Sequence, residues 1–458
     1  MSIKTKGVKG LYIKSYGCQM NVYDSERIEE NLETFGYKKV ASPEEACIII
    51  LNTCHIRHNP TENVYSELGR IKQHKDKAIQ NGEEVIVIVA GCVAQAEGDI
   101  IIKRAPVVDI VVGTEAYQHL PDMINKVLRD RGSKLVKLDF ETLDKFDSLK
   151  SDRKYRGPSA FVSVQEGCDK FCTFCVVPYT RGAEHSRKVN DIMNEIKQLA
   201  DKGVNDVSLL GQNVNAFHGL NEDGKEVTLA KLCEMVAKID GIKRIRYTTS
   251  HPLNMTEDLI YAHGSIEKLM PYLHLPVQSG SNAILKAMNR KHTRDDYFKI
   301  IDKLKSIRPD MAFSSDFIIG FPGETDKDFE DTIDLIKRVG YSQCYSFKYS
   351  QRPGTPADTM ANQVDESVKD QRLYIIQKIL SDQFKDFNQS FVGKSLDVLF
   401  DGNGTRKEYN QAKGKSPYLQ AVAVNLAQGD SYANYLGKIK TVKITETKTN
   451  SLIGTFVG

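Results

Sequence analysis

The sequence predicts an α/β chain in three parts: a parallel, doubly wound sheet, then a partial (β/α) barrel, then a small all-β barrel. Three observations predict it. Short apolar runs alternate with helically spaced segments over about the first 125 residues. The alternation resumes on a larger scale from Phe161. Beyond residue 390 only short β-like runs remain, separated by turns that contain Gly and Asn.

The first part has apolar runs at 11–16, 47–51, 85–90 and 107–112, each short enough to be a strand covered on both faces. Helical spacing fills the gaps at 26–35, 62–75 and 116–127. Strand, helix, strand with short connections implies a parallel sheet flanked by helices. A charged stretch without sustained periodicity, 139–158, ends in Arg156-Gly157-Pro158 and is expected to be a linker. The second part offers strands at 161–165, 206–210, 244–248, 272–277, 312–319 and 343–349. Helices at 191–200, 229–239, 295–307 and 326–339 lie between them. Six β/α units in sequence suggest part of the eight-fold barrel design. A long polar helix, 366–388, then leads to β-like runs at 396–400, 419–424, 437–445 and 452–456.

Composition narrows the class. The chain has 458 residues, 63 Lys plus Arg against 60 Asp plus Glu, nine cysteines and no tryptophan. That is an ordinary globular composition, which excludes disordered, collagen-like and disulfide-scaffold proteins. A net charge of +3 excludes binding of nucleic acid by bulk basicity. The charge is uneven, however. Residues 391–458 hold nine Lys/Arg and five Asp/Glu, a balance of +4, which leaves the first 390 residues at −1. The longest apolar stretch, 85–94, is about half of what a membrane span needs, and no signal segment is legible. A cytoplasmic, reducing location is therefore expected, with cysteines left for metal or catalysis.

Six of the nine cysteines carry a pattern. Cys168, Cys172 and Cys175 form C-x3-C-x2-C directly after an expected strand. A loop this tight can aim three thiolates at one metal centre, and thiolates favour iron–sulfur clusters or zinc. A structural zinc site takes four ligands, and the next candidate, His185, is not at the usual short spacing. Three ligands on a four-iron cube leave one iron open. Cys18, Cys54 and Cys92 each follow one of three strands, 36 and 38 residues apart. The carboxyl ends of a parallel sheet share one rim, with strands about 5 Å apart, so these three fall together. Buried small hydrophobes near strand ends are the alternative. Cys47, Cys233 and Cys344 sit in apolar patterns and read as core.

At these residues the chain resembles the radical S-adenosylmethionine methylthiotransferases. The resemblance is carried by Tyr16-Gly17-Cys18-Gln19-Met20-Asn21, Asn52-Thr53-Cys54, Gly91-Cys92-Val93-Ala94-Gln95 and the Cys168 motif running on to Thr180-Arg181-Gly182. It continues through Gly211-Gln212-Asn213, Ser250-His251-Pro252, His274-Leu275-Pro276-Val277-Gln278 and Ser315-Asp316 with Gly320-Phe321-Pro322-Gly323-Glu324-Thr325. It spans residue 10 to the C-terminus. The branch acting on a ribosomal-protein aspartate carries Pro-Lys where this chain has Gln19-Met20, which favours the tRNA branch. Two places depart from the family pattern: His55 stands where a small residue is usual, and Lys413-Gly414-Lys415-Ser416 matches the basic tail turn only loosely.

The resemblance implies a flavodoxin-like N-terminal domain, a radical-enzyme core and an RNA-binding C-terminal barrel of the TRAM type. Expected boundaries are 9–128, a linker at 129–153, a core at 154–386 and the β domain at 387–458. It implies two 4Fe–4S clusters, an auxiliary one on Cys18, Cys54 and Cys92 and a radical one on Cys168, Cys172 and Cys175. Two S-adenosylmethionine molecules per turnover and an electron donor such as flavodoxin or ferredoxin are implied too. The implied reaction is methylthiolation of carbon 2 of isopentenylated adenosine 37, in the anticodon stem-loop of tRNA, by a monomer that does not touch membrane. Another modified adenosine, or a ribosomal-protein aspartate, is the alternative substrate. An iron–sulfur redox protein and an RNA-binding protein with structural zinc stand outside the class. Phe174, Gln212, Asn213, Ser250, His251, Gln278 and Asp316 are candidates for holding the cosubstrate or the target base; all but Phe174 fall at expected strand ends. Arg181, Arg406, Lys407, Lys413 and Lys415 are candidate RNA contacts, with Tyr409 and Tyr418 as stacking groups.

Overall fold

The computed structural model describes residues 9–54, 60–140, 152–404 and 410–457. The chain divides into two compact units, 1–153 with 166–169 and 176–184, and 154–165 with 170–175 and 185–458.

The first unit is built on one parallel sheet. Its strands are β1 (Lys9–Ser15), β2 (Tyr37–Lys39), β3 (Ile48–Thr53), β4 (Ile86–Gly91), β5 (Ile110–Val112) and β6 (Leu135–Lys137), in spatial order β2-β1-β3-β4-β5-β6. Every residue of β3 and β4 is buried. Successive side chains serve opposite faces: Ile48, Ile50 and Ile88 join one apolar cluster, while Ile49, Leu51, Val87 and Val89 join another. A strand covered on both faces needs no polar alternation, which is why these runs are unbroken in sequence. The edge strands β2 and β6 were not expected. They are three residues long and rich in lysine, as sheet edges tend to be. Around the sheet lie α1 (Gln19–Glu33), α2 (Pro60–Gln80), α3 (Cys92–Glu97), α4 (Asp99–Arg104) and α5 (Leu120–Arg129). Helix α1 starts seven residues before the expected 26 because its first turns are buried yet polar, with Asn21, Asp24 and Ser25 all inside. The short helix α6 (Val177–Arg181) also belongs to this unit.

The second unit holds six parallel strands in two sheets. One contains β7 (Ser159–Ser163), β8 (Asp206–Leu210) and β9 (Arg244–Thr248), in the order β9-β8-β7. The other runs β10 (Tyr272–His274), β11 (Ala312–Ile319), β12 (Gln343–Lys348). A parallel bridge between Ile245 and Leu269 joins them into an open barrel. Helices α7 (Val189–Asp201), α8 (Leu229–Ala237), α9 (Glu257–Ser265), α10 (Asn282–Ala287), α11 (Arg294–Ile307) and α12 (Asp326–Val339) alternate with the strands. Reciprocal capping boxes, Thr293 with Asp296 and Thr325 with Asp328, fix the starts of α11 and α12. Helix α13 (Glu366–Gln389) follows along β12.

The tail closes into a barrel of β13 (Ser395–Asn403), β14 (Gln411–Lys415), β15 (Ala421–Asn425), β16 (Ile439–Lys448) and β17 (Ser451–Phe456), ordered β13-β14-β15-β17-β16. Strand β14 was not expected. Its inward residues are Ala412 and Gly414, too small to give an apolar alternation, and a Cβ on Gly414 would lie 2.2 Å from the Leu399 carbonyl oxygen. The barrel is fastened through main-chain oxygens. Arg244 donates to the carbonyls of Lys415 at 2.8 Å and Asp397 at 2.7 Å, and Arg246 to those of Pro417 at 2.7 Å and Ser416 at 3.2 Å. Among the described residues no helix is long and apolar enough to cross a membrane.

Candidate metal centre and cofactor site

The order of the first sheet reverses direction between β1 and β3, and ligands of such sheets bind at the carboxyl ends of the strands flanking that reversal. Cys18 caps the start of α1 after β1, Cys54 follows β3, and Cys92 opens α3 after the neighbouring β4. The turns there are tight. Gly17 has φ +98°, and a Cβ on it would stand 2.1 Å from Cys54 Cβ and 2.6 Å from its Sγ. Gly91 has φ +90°, with its missing Cβ 2.3 Å from the Thr53 carbonyl oxygen. Both turns therefore require glycine. Cys18 Sγ reaches Asn21 Oδ1 at 3.7 Å, and Asn21 Nδ2 donates to the Tyr16 carbonyl at 2.9 Å. A hydrogen bond with Cys54 pulls the Cys18 thiol down to about 6 against the effect of burial, and the Arg181 charge adds to it. Burial pushes Cys92 the other way, with Arg181 opposing. No three His, Cys, Asp or Glu side chains among the described residues form a ready metal cage. The triad is thus defined by rim position, with the Arg181 cation beside Cys18 and Cys92.

That cation corrects one expectation. Arg181 is not offered to RNA. It is 4% exposed, and its guanidinium donates to Asp24 at 2.8 Å, Asn21 at 3.1 Å and Glu166 at 3.4 Å. Burial disfavours its charge, but Asp24, Cys92 and Glu166 raise its pKa well above the usual value. Sequence alone could not show this, since 157 residues separate Arg181 from Asp24.

In the second unit the loops after β8 and β9 are tied by Val214 N donating to the Thr249 carbonyl at 3.0 Å. This brings Asn213, Ser250 and His251 together. Asn213 N donates to Gln165 Oε1 at 3.0 Å and its Nδ2 to Asn254 Oδ1 at 3.3 Å. His251 Nδ1 accepts from Leu253 N at 3.1 Å, and burial with Arg290 nearby holds the ring down at about 2, so it is neutral. The Ser250 hydroxyl is buried and has no hydrogen-bond partner among the described residues. Gln212 is half-buried. Gln278, with φ +77°, bridges to Phe317 and donates its N–H to the Asp316 carbonyl at 3.0 Å. The Asp316 carboxylate lies 3.6 Å from His274 Nε2. Phe174 packs beside Ile284, Met288 and Phe321. The spacing of the motif did not reveal three neighbours of this group. His292 stands edge-on to His251 with ring centres 5.7 Å apart, Arg290 reaches Cys172, and Asn289 reaches the loop before it.

Residues 162–336 match the Radical SAM superfamily, and residues 10–113 match Uncharacterized protein family UPF0004. The tRNA-2-methylthio-N(6)-dimethylallyladenosine synthase of Rickettsia felis (strain ATCC VR-1525 / URRWXCal2) is 56% identical over 447 residues, covering 97% of this chain and 99% of that one. The chain belongs to that synthase family. The synthase of Maricaulis maris (strain MCS10) is similar at 55% identity over 98% of both chains. Two solved structures share the fold of the synthase chain. They are the radical S-adenosylmethionine methyltransferase TsrM from Kitasatospora setae with cobalamin and a 4Fe–4S cluster bound (TM-score 0.56, 12% identity, 77% of this chain and 74% of that) and the cobalamin-dependent enzyme OxsB with aqua-cobalamin and S-adenosylmethionine bound (TM-score 0.53, 14% identity, 81% and 56%).

As a radical SAM protein, this member of the synthase family uses S-adenosylmethionine and a 4Fe–4S cluster. The donor set fits that cluster: Cys172 Sγ is buried and meets an arginine N–H, and Cys175 N folds back on the Cys172 carbonyl at 2.9 Å. Cys168 groups with the first unit and Cys172 and Cys175 with the second. The remaining cysteines of the synthase chain are structural: Cys233 is fully buried in the main core, with burial raising its thiol to about 12, and Cys47 and Cys344 pack against the clusters beside them. In the tail, Arg406, Lys407 and Tyr409 lie outside the described residues, as does His55. Lys413 is half-buried. Lys415 is partly withdrawn: burial lowers its pKa, and Asp401 opposes that. Tyr418 is not a free stacking group, because its ring packs against Phe387 and Phe391 and its hydroxyl donates to Asp310 at 3.1 Å.

Proposed function

We propose that the chain is a radical S-adenosylmethionine methylthiotransferase that inserts a methylthio group at carbon 2 of isopentenylated adenosine 37 in tRNA. The observation that carries the reading is 56% identity over nearly the full length of a relative named for that product. The three cysteines on the first sheet's rim support an auxiliary cluster as the second half of the machinery. Reduced iron–sulfur chemistry, when the clusters are bound, supplies the electron that cleaves S-adenosylmethionine and the sulfur that is inserted.

The chain's own residues bind and shield. Asn213, Ser250 and His251 offer amide, hydroxyl and neutral imidazole groups at the carboxyl ends of barrel strands, where such barrels hold their substrates. A neutral His251 accepts or donates a hydrogen bond without competing for protons near pH 7. Lys413 and Lys415, together with Arg406 and Lys407, which lie outside the described residues, supply phosphate contacts for an anticodon loop, whose splayed bases suit single-strand recognition. A monomer served by flavodoxin or ferredoxin in the cytoplasm completes the proposal.

Mass spectrometry of tRNA nucleosides from a strain lacking the gene tests it. Loss of methylthio-isopentenyladenosine, with isopentenyladenosine accumulating, is the expected result. An unchanged methylthio-isopentenyladenosine level overturns the substrate. Iron analysis after anaerobic reconstitution should give about eight irons per chain, half of them lost on replacing either cysteine triad by alanine.

A further inference from the structure

The loop that carries Cys172 is gripped by the segment just beyond α10. Thr173 N donates to the Met288 carbonyl at 3.1 Å and Thr173 Oγ1 to the Ala287 carbonyl at 2.9 Å. Asn289 is held at φ +58° and its Nδ2 donates to the carbonyls of Phe171 at 2.9 Å and Lys170 at 3.3 Å. Arg290 comes next. Its Nη2 donates to the Pro276 carbonyl at 2.5 Å, and its Nη1 lies 3.6 Å from Cys172 Sγ.

The charge on Arg290 has no carboxylate to meet. The residue is 8% exposed, no Asp or Glu among the described residues pairs with it, and its Nε is buried without a hydrogen-bond partner. Six other buried arginines, Arg27, Arg153, Arg181, Arg187, Arg246 and Arg372, each hold a carboxylate, while Arg244 donates to two main-chain carbonyls and meets no thiol. A buried guanidinium with no counter-ion is costly. An anionic group bound at Cys172 removes that cost. A cluster held by thiolates is such a group, and its charge becomes more negative on reduction.

We infer that Arg290 is the counter-cation of the radical cluster, hydrogen-bonding its Cys172 ligand and stabilising the reduced state. The inference rests on the radical-cluster reading and adds a positioning residue to it. N–H donors and positive charge next to cluster sulfur raise its reduction potential. Asn289 and Thr173 fix the loop so that the guanidinium and the sulfur stay in register.

The test uses the full chain carrying Cys18→Ala, Cys54→Ala and Cys92→Ala, so that only the radical cluster is built. Iron content comes first: about four irons per chain uphold the cluster reading, and none overturns it whatever Arg290 does. Electron paramagnetic resonance at a fixed solution potential then gives the reduced fraction. Arg290→Met is expected to lower the reduced-to-oxidised ratio tenfold, about 59 mV for one electron, while Arg290→Lys stays close to the parent. An unchanged ratio in Arg290→Met with full iron overturns the inference. Guanidino-¹⁵N-labelled arginine in the parent chain provides a readout that needs no substitution at residue 290. Pulsed measurements should detect nitrogen coupling to the reduced cluster, and absence of coupling overturns the inference even where Arg290→Met fails to fold.

Discussion

Arg181 donates from Nη2 to Asp24 Oδ2 at 2.8 Å, with the two side chains 3% and 1% exposed. The pair joins the first turns of α1 to the end of α6, beside Cys18 and Cys92. Replacing Arg181 by Met leaves Asp24 charged and buried, which costs about 3–5 kcal/mol. Urea unfolding followed by circular dichroism, the suitable probe for a chain without tryptophan, should show that loss. Adding Asp24→Asn should return part of it. The tRNA affinity of the folded variant should not change, which separates this role from a phosphate contact.

A second expectation concerns Gly17. A methyl group there would collide with the Cys54 side chain and force a strained backbone at φ +98°. Gly17→Ala should therefore lose the auxiliary cluster while keeping the radical one. Reconstituted iron should fall from about eight to about four per chain. Full iron in the variant would mean that Cys18 and Cys54 do not share a centre.

The His263 imidazole lies 2.6 Å from the Tyr247 hydroxyl, wholly inside the second unit, and burial lowers its pKa to about 3. The folded chain keeps it neutral, whereas the unfolded chain protonates it below about pH 6.5. Its contribution to stability is therefore complete above that pH and erodes as the pH falls, by about 1.4 kcal/mol per pH unit. His251 and His292, held down to about 2 and about 3, act in the same direction. In His263→Gln the slope of unfolding free energy between about pH 6 and pH 5 should fall by one proton. An unaltered slope would place a charged His263 in the folded chain.

Arg244 is a further target. Arg244→Met removes donors to the carbonyls of Asp397 and Lys415, and the loss should reach about 2–4 kcal/mol at the seam between the core and the C-terminal barrel. Limited proteolysis should then cut after α13 sooner than in the parent chain. Identical digestion kinetics would mean that other contacts hold the barrel.

Much of the architecture was legible because buried parallel strands announce themselves as unbroken apolar runs. Strands β8, β9 and β11 match their expected limits, and so does helix α12. What escaped was structure without an apolar signature: the lysine-bearing edges β2 and β6, the Ala and Gly interior of β14, and the polar opening of α1. The site divides along the same line. Cys18, Cys54 and Cys92 could be related in advance because each stands one step beyond a strand that could be seen. Arg290 could not, because 118 residues separate it from Cys172 and no local pattern links the two. Arg181 was expected among the RNA contacts, but its partner is the Asp24 carboxylate in α1, far away in sequence.

The fastening of the C-terminal barrel has an evolutionary corollary. Arg244 and Arg246 grip oxygens of the main chain at residues 397 and 415–417, not side chains. Backbone oxygens are the same whichever amino acid carries them. Lineages can therefore exchange Lys415 and its neighbours, retuning the charge presented at that turn, while the joint itself persists unaltered.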